Sequence, residues 1–200
     1  MKITRLADDD KKKKTDEAHP LAEKFLKTRQ IILSGEVNKE LADKIVRELL
    51  LLEADSQTKP LFLYIDSPGG DVDAGFAIFD MIRFIKPRVT IVGMGLVASA
   101  AALILLAVPK ERRVGLPHSH YLLHQPMSGM KGVATDIEIH AKELSKTRSK
   151  INEIIATETG IPVEQVAKDT DRDYWLDADA AVSYGLISTV IRSRADVAAH

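Results

Sequence analysis

The hydrophobic pattern of the first half of the chain alternates between short apolar runs and helical repeats. LFLYI at residues 61–65 is an uninterrupted apolar run, which is typical of a buried strand. A helix is predicted before this strand. Asn38 is a favourable N-terminal cap for it, and apolar side chains then recur at helical spacing: Leu41, Ile45, Leu49 and Leu52. A second helix is predicted from about Val72 to Ile85, and a short helix and strand at Leu21 to Arg29 and Ile31 to Leu33. Strands and helices in this order predict a parallel α/β core with right-handed crossovers.

Twenty residues from Val89 to Val108 contain no charge. Their number would suit a membrane span. The first part, VTIVGMG, is β-branched and contains two glycines, whereas ASAAALILLA is rich in strong helix formers. We therefore predict a buried strand that turns into a buried helix, with Ser99 near the helix start.

The residue pattern in the second half of the chain predicts a long charged helix. The strand HYLLH at residues 120–124 leads into a glycine-bearing stretch at residues 129–132. A helix then opens with a capping box of Thr135 and Glu138 and continues to about Thr159. It carries an apolar stripe: Ile137, Leu144, Ile151 and Ile154. At about 36 Å, this rod suggests a partner surface, while packing on its own core is the alternative. A small helix ending at the glycine cap Gly185 and a strand LISTVI close the chain.

Composition narrows the functional classes. A 200-residue chain that is 45% hydrophobic can bury a core of its own as one domain. The formal net charge of -1 provides no basic field for nucleic acid or an anionic membrane. The absence of cysteine excludes disulfides and thiolate chemistry and fits a reducing cytosol. Residues 1–18, with their DDDKKKK run, are predicted to form a mobile arm, and no apolar signal sequence follows Met1.

Ser99 has two interpretations. Its hydroxyl could cap the helix that follows. Alternatively, an outward hydroxyl would be a nucleophile, with the helix dipole and the N–H of Ala100 stabilising an oxyanion. A second N–H donor could come from the loop Ser67–Pro68–Gly69–Gly70. The phosphate-binding patterns GxxxxGK[ST] and GxGxxG and the hydrolase pattern GxSxG are absent.

A serine nucleophile needs a base, and the chain has six histidines. His19 and His200 lie near the ends of the chain, and His140 lies among charges on the long helix, so these three are weaker candidates. The remaining three alternate along the chain, so one face of a strand could present them: His118, His120 and His124. A metal site is the alternative use of these three, but no HExxH-type carboxylate motif accompanies them. His124 is the best base, because an apolar strand delivers it to a glycine-bearing loop. Twenty-nine acidic residues leave the third member of a triad open.

Seven segments, in order, resemble the proteolytic subunit family of the bacterial Clp protease, ClpP: SPGGDVDAG at 67–75, FIKP at 84–87, VASAAA at 97–102, HQP at 124–126, ATDIEIHAKE at 134–143, DTDRD at 169–173 and AVSYGLI at 181–187. The resemblance implies a ClpP/crotonase-like α/β fold of stacked β/α units with a protruding helix-strand handle. It implies a serine peptidase without cofactor, with Ser99 as nucleophile, His124 as base and Asp173 as orienting acid. The backbone N–H groups of Gly70 and Ala100 would form the oxyanion hole.

The resemblance also implies an assembly. Two heptameric rings would stack through a handle at about residues 125–159, and Asp171 and Arg172 would couple stacking to triad alignment. A hexameric AAA+ unfoldase, which alone uses ATP, would dock at an apolar pocket with Phe62 and Tyr64. Residues 19–192 would form one cytoplasmic peptidase domain, followed by a tail at 193–200.

Three departures from the family pattern stand out. The charged arm is unlike the usual axial-pore segment, Asp66 replaces the usual asparagine in IDSPGG, and GLVASAAA replaces GMAASMGA. They suggest a divergent paralogue that works with a second ClpP-like subunit. A purely structural ring subunit and a crotonase-type acyl-CoA enzyme are the competing hypotheses. The ordered serine, histidine and aspartate favour a peptidase over both.

Overall fold

The computed structural model describes residue 22 and residues 24–197. The arm predicted at residues 1–18 lies outside these residues, as do His19, His200 and the last three positions of the predicted tail. The strands are β1 (Gln30–Ser34), β2 (Leu61–Ser67), β3 (Val89–Ala98), β4 (Arg113–Gly115), β5 (His120–Leu123), β6 (Tyr174–Asp177) and β7 (Thr189–Val190). After β1, the helices are α1 (Lys39–Asp55), α2 (Val72–Phe84), α3 (Ala100–Leu105), α4 (Ala134–Thr159), α5 (Val163–Asp169), α6 (Ala178–Tyr184) and α7 (Arg194–Val197), with a 3-10 turn at Lys110–Arg112.

The strands form one seven-stranded sheet. β1, β2, β3, β4 and β7 are parallel neighbours in that order, and β5 is also parallel to β3. The predicted parallel α/β core is thus confirmed. β6, which the sequence analysis did not predict, pairs antiparallel with β5 at the edge of the sheet.

The uncharged run around Ser99 is buried core. β3 passes directly into α3, and all six residues of α3 are buried. The predicted strand-to-helix turn is confirmed, although the strand continues to Ala98. Within the part of the chain that the structure describes, none of the helices has both the length and the hydrophobicity that a bilayer span requires.

A bulge divides β3 into two halves. The first half pairs with β4 as far as Gly93 and Gly115, and the second half pairs with β5 from Leu96 onwards. The bulge also appears against β2, where Ile65 faces Gly93 but Ser67 faces Val97.

Asp66 and Gly95 form the bulge. The Leu96 N–H donates a hydrogen bond of 3.0 Å to Asp66 Oδ1. Gly95 has a φ of 54°, and a Cβ there would lie 2.6 Å from Asp66 Oδ1, so the position requires glycine. Asp66, where the family pattern has asparagine, therefore stabilises the bulged backbone of β3.

One prediction around the long helix is wrong. α4 begins at Ala134 behind Val133, and no side chain caps it, so the capping box of Thr135 and Glu138 does not form. Residues 129–132 are not in a strand within the single chain, and the handle strand that the resemblance implies between two rings stays a prediction. A strand needs a hydrogen-bonding neighbour, and no other strand of the described residues pairs with this stretch.

α4 packs on the core along only part of its length. Its buried residues, Asn152 and Ile155, lie in its second half, where Ile151 and Ile154 also pack on the core. In the first half, Ile137 and Ile139 are exposed. The helix is thus fixed at its C-terminal end and leaves an apolar surface uncovered at the other.

The last strand is shorter than the sequence predicted. Gly185 adopts the left-handed conformation that ends α6, which confirms the glycine cap. Only Thr189 and Val190 of LISTVI are in a strand. Beyond it, α7 brings Val197 into contact with the sheet, so the packed body extends past residue 192.

The tight packing around Tyr121 predicts that an added side-chain atom at Gly115 lowers the stability. Its ring is fully buried, burial raises the pKa of its phenol to about 12, and its hydroxyl group lies against Gly93 and Gly115. A Cβ at Gly115 would lie 2.4 Å from the Tyr121 hydroxyl oxygen. We expect Gly115→Ala to lower the stability by about 1–3 kcal/mol because of overpacking, measured by thermal or urea unfolding.

The control is Gly129→Ala, since a Cβ there has nothing within 4 Å. Tyr121→Phe, which removes the crowding oxygen, should recover part of the loss in a double-mutant cycle. Equal destabilisation by the two glycine substitutions would contradict the packing argument.

Candidate active site

The order of the strands brings three predicted residues to one edge of the sheet. Ala98 pairs with Leu122 across β3 and β5, and Leu123 pairs with Tyr174 across β5 and β6. The next residues beyond these pairs are Ser99, His124 and Asp173. Because β5 lies between β3 and β6, the histidine lies between the serine and the aspartate.

His124 and Asp173 are in direct contact. His124 Nδ1 lies 3.0 Å from Asp173 Oδ1, with the histidine side chain 17% exposed and the aspartate 61%. The Asp173 carboxylate accepts the hydrogen bond, so His124 Nδ1 carries the proton. His124 Nε2 is then left to accept a proton from another group.

Ser99 and His124 line the same narrow cleft. Its free volume is about 20 Å³, which leaves room for about one water molecule. The other side chains of the cleft are apolar: Val72, Ala100, Leu103, Leu123, Pro126, Ile151 and Ile155. The cleft therefore combines one hydroxyl and one imidazole with an uncharged wall.

The backbone of Ser99 is strained. Its φ and ψ are 54° and -122°, a conformation that L side chains rarely adopt and that costs about 1–3 kcal/mol. The Ser99 N–H donates to Leu122 O at 2.9 Å, and the Ser99 carbonyl accepts the first helical bond, from Leu103 N–H. Its side chain makes no capping hydrogen bond to α3. The cap interpretation of Ser99 is therefore wrong, and the hydroxyl is available for another role.

The glycine loop after β2 lies directly against this turn. A Cβ built on Gly69 would lie 2.7 Å from Ser99 Cβ and 2.9 Å from Ala100 N, so only glycine fits. The Ser67 hydroxyl fixes the loop, since it donates to Gly35 O at 2.6 Å and accepts from Gly69 N–H at 3.1 Å.

Hydrogen bonds with Val37 flank Gly70 on both sides. The Val37 N–H donates to Gly69 O, and the Asp71 N–H donates to Val37 O, both at 2.7 Å. These two bonds hold the backbone on either side of Gly70 against Val37. The oxyanion-hole role of Gly70 and Ala100 stays a prediction.

α4 holds the loop that carries Asp173. Thr170 is fully buried, and its hydroxyl lies 3.0 Å from Asn152 Oδ1. The Thr170 carbonyl accepts from the N–H of Gln125, the residue after His124, at 2.7 Å. Asn152 was not singled out by the sequence analysis, although a polar residue beside Ile151 in the apolar stripe is the signal that could have found it.

The predicted inter-ring pair Asp171 and Arg172 lies on the same loop. Asp171 forms an ion pair of 3.0 Å with Arg148 of α4, and its carbonyl accepts from Gln125 Nε2 at 2.7 Å. Arg172 is exposed and lines an open cavity of about 430 Å³ with Met127 and Asp173. Thus Asp171 has a partner within its own chain, while the Arg172 side chain faces solvent.

The other predicted residues lie away from the cleft. His118 and His120 do not line the Ser99 cleft, and His120 is exposed opposite Asp177. Residue 22 and residues 24–197 contain no group of three or more side chains that could hold a metal ion. Phe62 and Tyr64 lie on the face of β2 opposite the main core, beside a second apolar cluster.

Comparison with known proteins identifies the family. A family model described as Clp protease matches residues 12–194. The chain belongs to the Clp protease family. It is 64% identical over 197 residues to ATP-dependent Clp protease proteolytic subunit 2 of Treponema denticola, covering 98% of each chain. It is 47% identical to proteolytic subunit 3 of Rhizobium etli, covering 94% of this chain and 97% of the relative.

Comparison with solved structures leads to the same family. A mutant form of ClpP1 from Listeria monocytogenes matches with a TM-score of 0.83 and 45% identity, covering 88% of this chain and 99% of that chain. These findings confirm the predicted ClpP fold and the interpretation as a protease subunit of a serine peptidase family. They favour a peptidase over the crotonase-type hypothesis.

Gly69 and Gly35 provide a matched test of the glycine loop. Both have a φ of 87°, but a Cβ on Gly35 has nothing within 4 Å. We expect both alanine variants to lose about 1–2 kcal/mol from backbone strain. Only Gly69→Ala should also slow the reaction of Ser99 with a fluorophosphonate, by about 100-fold, because it displaces the serine turn.

The rate is measured by intact mass over time, with folding checked by circular dichroism. If Gly35→Ala slowed the reaction as much as Gly69→Ala, the contact between the loop and Ser99 would have no special role.

Proposed function

We propose that this chain is a serine endopeptidase subunit of a self-compartmentalised Clp protease, with a Ser99, His124 and Asp173 triad. The observation that carries the proposal is the 3.0 Å contact of His124 Nδ1 with Asp173, in a histidine that shares its cleft with an uncapped serine. Asp173 orients the imidazole, His124 is the general base and Ser99 is the nucleophile.

The reaction follows from the positions of these groups. His124 Nε2 accepts the Ser99 hydroxyl proton as Oγ attacks the peptide carbonyl carbon. The oxyanion that forms receives hydrogen bonds from the N–H groups of Gly70 and Ala100. His124 returns the proton to the leaving amine, the peptide bond breaks, and an acyl-enzyme remains on Ser99. Water, deprotonated by His124, hydrolyses this ester and regenerates the serine.

The chemistry needs no metal or cofactor, since the triad supplies base, acid and nucleophile. ATP would be used only by a partner unfoldase. The apolar cleft wall favours an uncharged side chain beside the scissile bond. Its small volume favours extended peptides and unfolded proteins as substrates.

The exposed apolar residues support the proposed assembly. Met127, Met130, Val133, Ile137 and Ile139 are exposed along the start of α4 and the loop before it. A patch of this kind marks a protein interface, and the unpaired stretch at residues 129–132 would gain a strand neighbour there. We propose that residues 125–159 form the handle between two heptameric rings, with Asp171 and Arg172 reporting the stacking.

Further parts of the proposal rest on the family resemblance. An AAA+ unfoldase would dock beside Phe62 and Tyr64, and the peptidase would work in the cytoplasm. Activity in a mixed assembly with a second ClpP-like subunit is the alternative to a homomeric particle.

The first test is intact mass after incubation with a serine-reactive fluorophosphonate, with particle size recorded by light scattering. We expect one label per chain in the wild type and in Ser183→Ala, an exposed serine on α6, but none in Ser99→Ala. A particle of two stacked heptamers should carry the label. A folded wild-type protein that labels only after a second ClpP-like subunit is added would replace the homomeric proposal with the mixed one.

Asp173→Asn tests the orienting acid. The amide cannot hold the Nδ1 proton in the same way, so kcat for a fluorogenic peptide should fall by about 10⁴-fold. Asp179→Asn, an exposed aspartate on α6, should leave kcat unchanged. A loss below about tenfold for Asp173→Asn would exclude it from the triad.

A further inference from the structure

Tyr184, at the end of α6, contacts both ends of the loop that carries Asp173. The loop comprises residues 170–173 and joins α5 to β6. Before the loop, the Tyr184 hydroxyl donates a hydrogen bond of 3.0 Å to Asp169 Oδ2, on the last residue of α5. After the loop, the ring of Tyr184 packs on the ring of Tyr174, with the two centroids 5.4 Å apart. One side chain thus holds the residues on both sides of the loop.

Tyr184 is a firm support for these contacts. Its side chain is 9% exposed and belongs to the main core. Burial raises the pKa of its phenol, and the Asp169 carboxylate raises it further, so the hydroxyl keeps its proton near neutral pH and remains a donor. A hydrogen bond to a carboxylate is also about twice as strong as one between neutral groups. Gln165 Nε2 donates to the other oxygen of Asp169 at 2.7 Å, so both carboxylate oxygens are held.

Asp173 depends on this support because most of its side chain is in solvent. The side chain is 61% exposed, so packing does not fix the direction of its carboxylate toward the imidazole. The Thr170 carbonyl is held by the N–H of the residue after His124, which fixes the start of the loop. The residue directly after Asp173 is Tyr174, which the Tyr184 ring contacts. A shift of the Tyr184 contacts would therefore move the carboxylate relative to the imidazole.

We infer that Tyr184 is a positioning residue for the proposed triad, because its contacts with the two ends of the loop set the place of the Asp173 carboxylate. This inference rests on the proposed function. Tyr184 is not among the residues that line the Ser99 cleft, so it acts on catalysis through Asp173 and not through substrate binding. The expected signature of such a role is a lower kcat with an unchanged KM.

Tyr184→Phe tests the inference, because it removes the hydroxyl group and keeps the ring. With a fluorogenic peptide, we expect kcat to fall by about tenfold and KM to change by less than about twofold, since a small displacement of a catalytic group is sufficient for such a loss. Tyr121→Phe is the matched control. Its phenol is also buried, but its hydroxyl group lies against Gly93 and Gly115, so kcat should stay unchanged.

Variants of Asp169 test the same hydrogen bond from its other side. Asp169→Ala should reproduce the loss seen in Tyr184→Phe, and the double variant should lose no more than either single variant. Asp169→Asn keeps an oxygen that can accept from the tyrosine hydroxyl, so it should retain most of the wild-type kcat. Equal losses in Asp169→Asn and Asp169→Ala would contradict the role of this bond.

The Asp173→Asn background separates positioning from a general effect on the fold. If Tyr184 acts through the Asp173 carboxylate, Tyr184→Phe should lower kcat by less than about twofold once that carboxylate is gone. Its effect on the midpoint of thermal unfolding should be the same in both backgrounds. A loss of about tenfold in both backgrounds would overturn the inference. A loss that accompanies a smaller particle in light scattering would also overturn it, because Tyr184 would then act through assembly.

The same kinetics distinguish the inference from the proposed function. A wild-type kcat in Asp173→Asn would refute the triad, and the inference with it. A large loss in Asp173→Asn, with none in Tyr184→Phe, would refute the positioning role alone.

Discussion

The hydrogen bond from Leu96 N–H to the Asp66 carboxylate is the constraint on which the site depends. It stabilises the bulge that lets β3 pair with β4 in its first half and with β5 in its second. Without that change of partner, Ser99 would not end beside the strand that carries His124. An asparagine would present a similar oxygen to the same N–H, so the aspartate keeps the backbone function of the usual residue. Asp66 therefore does not by itself mark a change in the chemistry at Ser99.

Buried polar groups hold the other parts of the site in place. Ser67 fixes the glycine loop, and Asn152 with Thr170 fixes the loop before Asp173. At the far end of α4, Glu158 lies between Arg83 and the fully buried Arg113. Burial lowers the pKa of Arg113, which the nearby Glu158 carboxylate opposes. These contacts secure the second half of α4 to the body, while apolar side chains of its first half stay exposed.

The sequence predicted those elements whose signal is local. The apolar run at residues 61–65 and the passage from β-branched residues to alanines around Ser99 were sufficient for β2, β3 and α3. β4 and β6 were missed, because three or four residues become a strand only where a neighbour supplies hydrogen bonds. The same reason explains Asp173. Local patterns singled out Ser99 and His124, but the aspartate opposite His124 is set by the antiparallel register of β5 and β6 and entered only through the family resemblance.

The backbone of Ser99 bears on the question of a purely structural subunit. Its conformation suits glycine, and any other residue keeps the chain less stable than it could be. A protein under selection for folding and assembly alone would gain by replacing this serine with glycine. The serine at position 99 therefore carries a thermodynamic cost of about 1–3 kcal/mol that a subunit with a purely structural role would have no reason to bear.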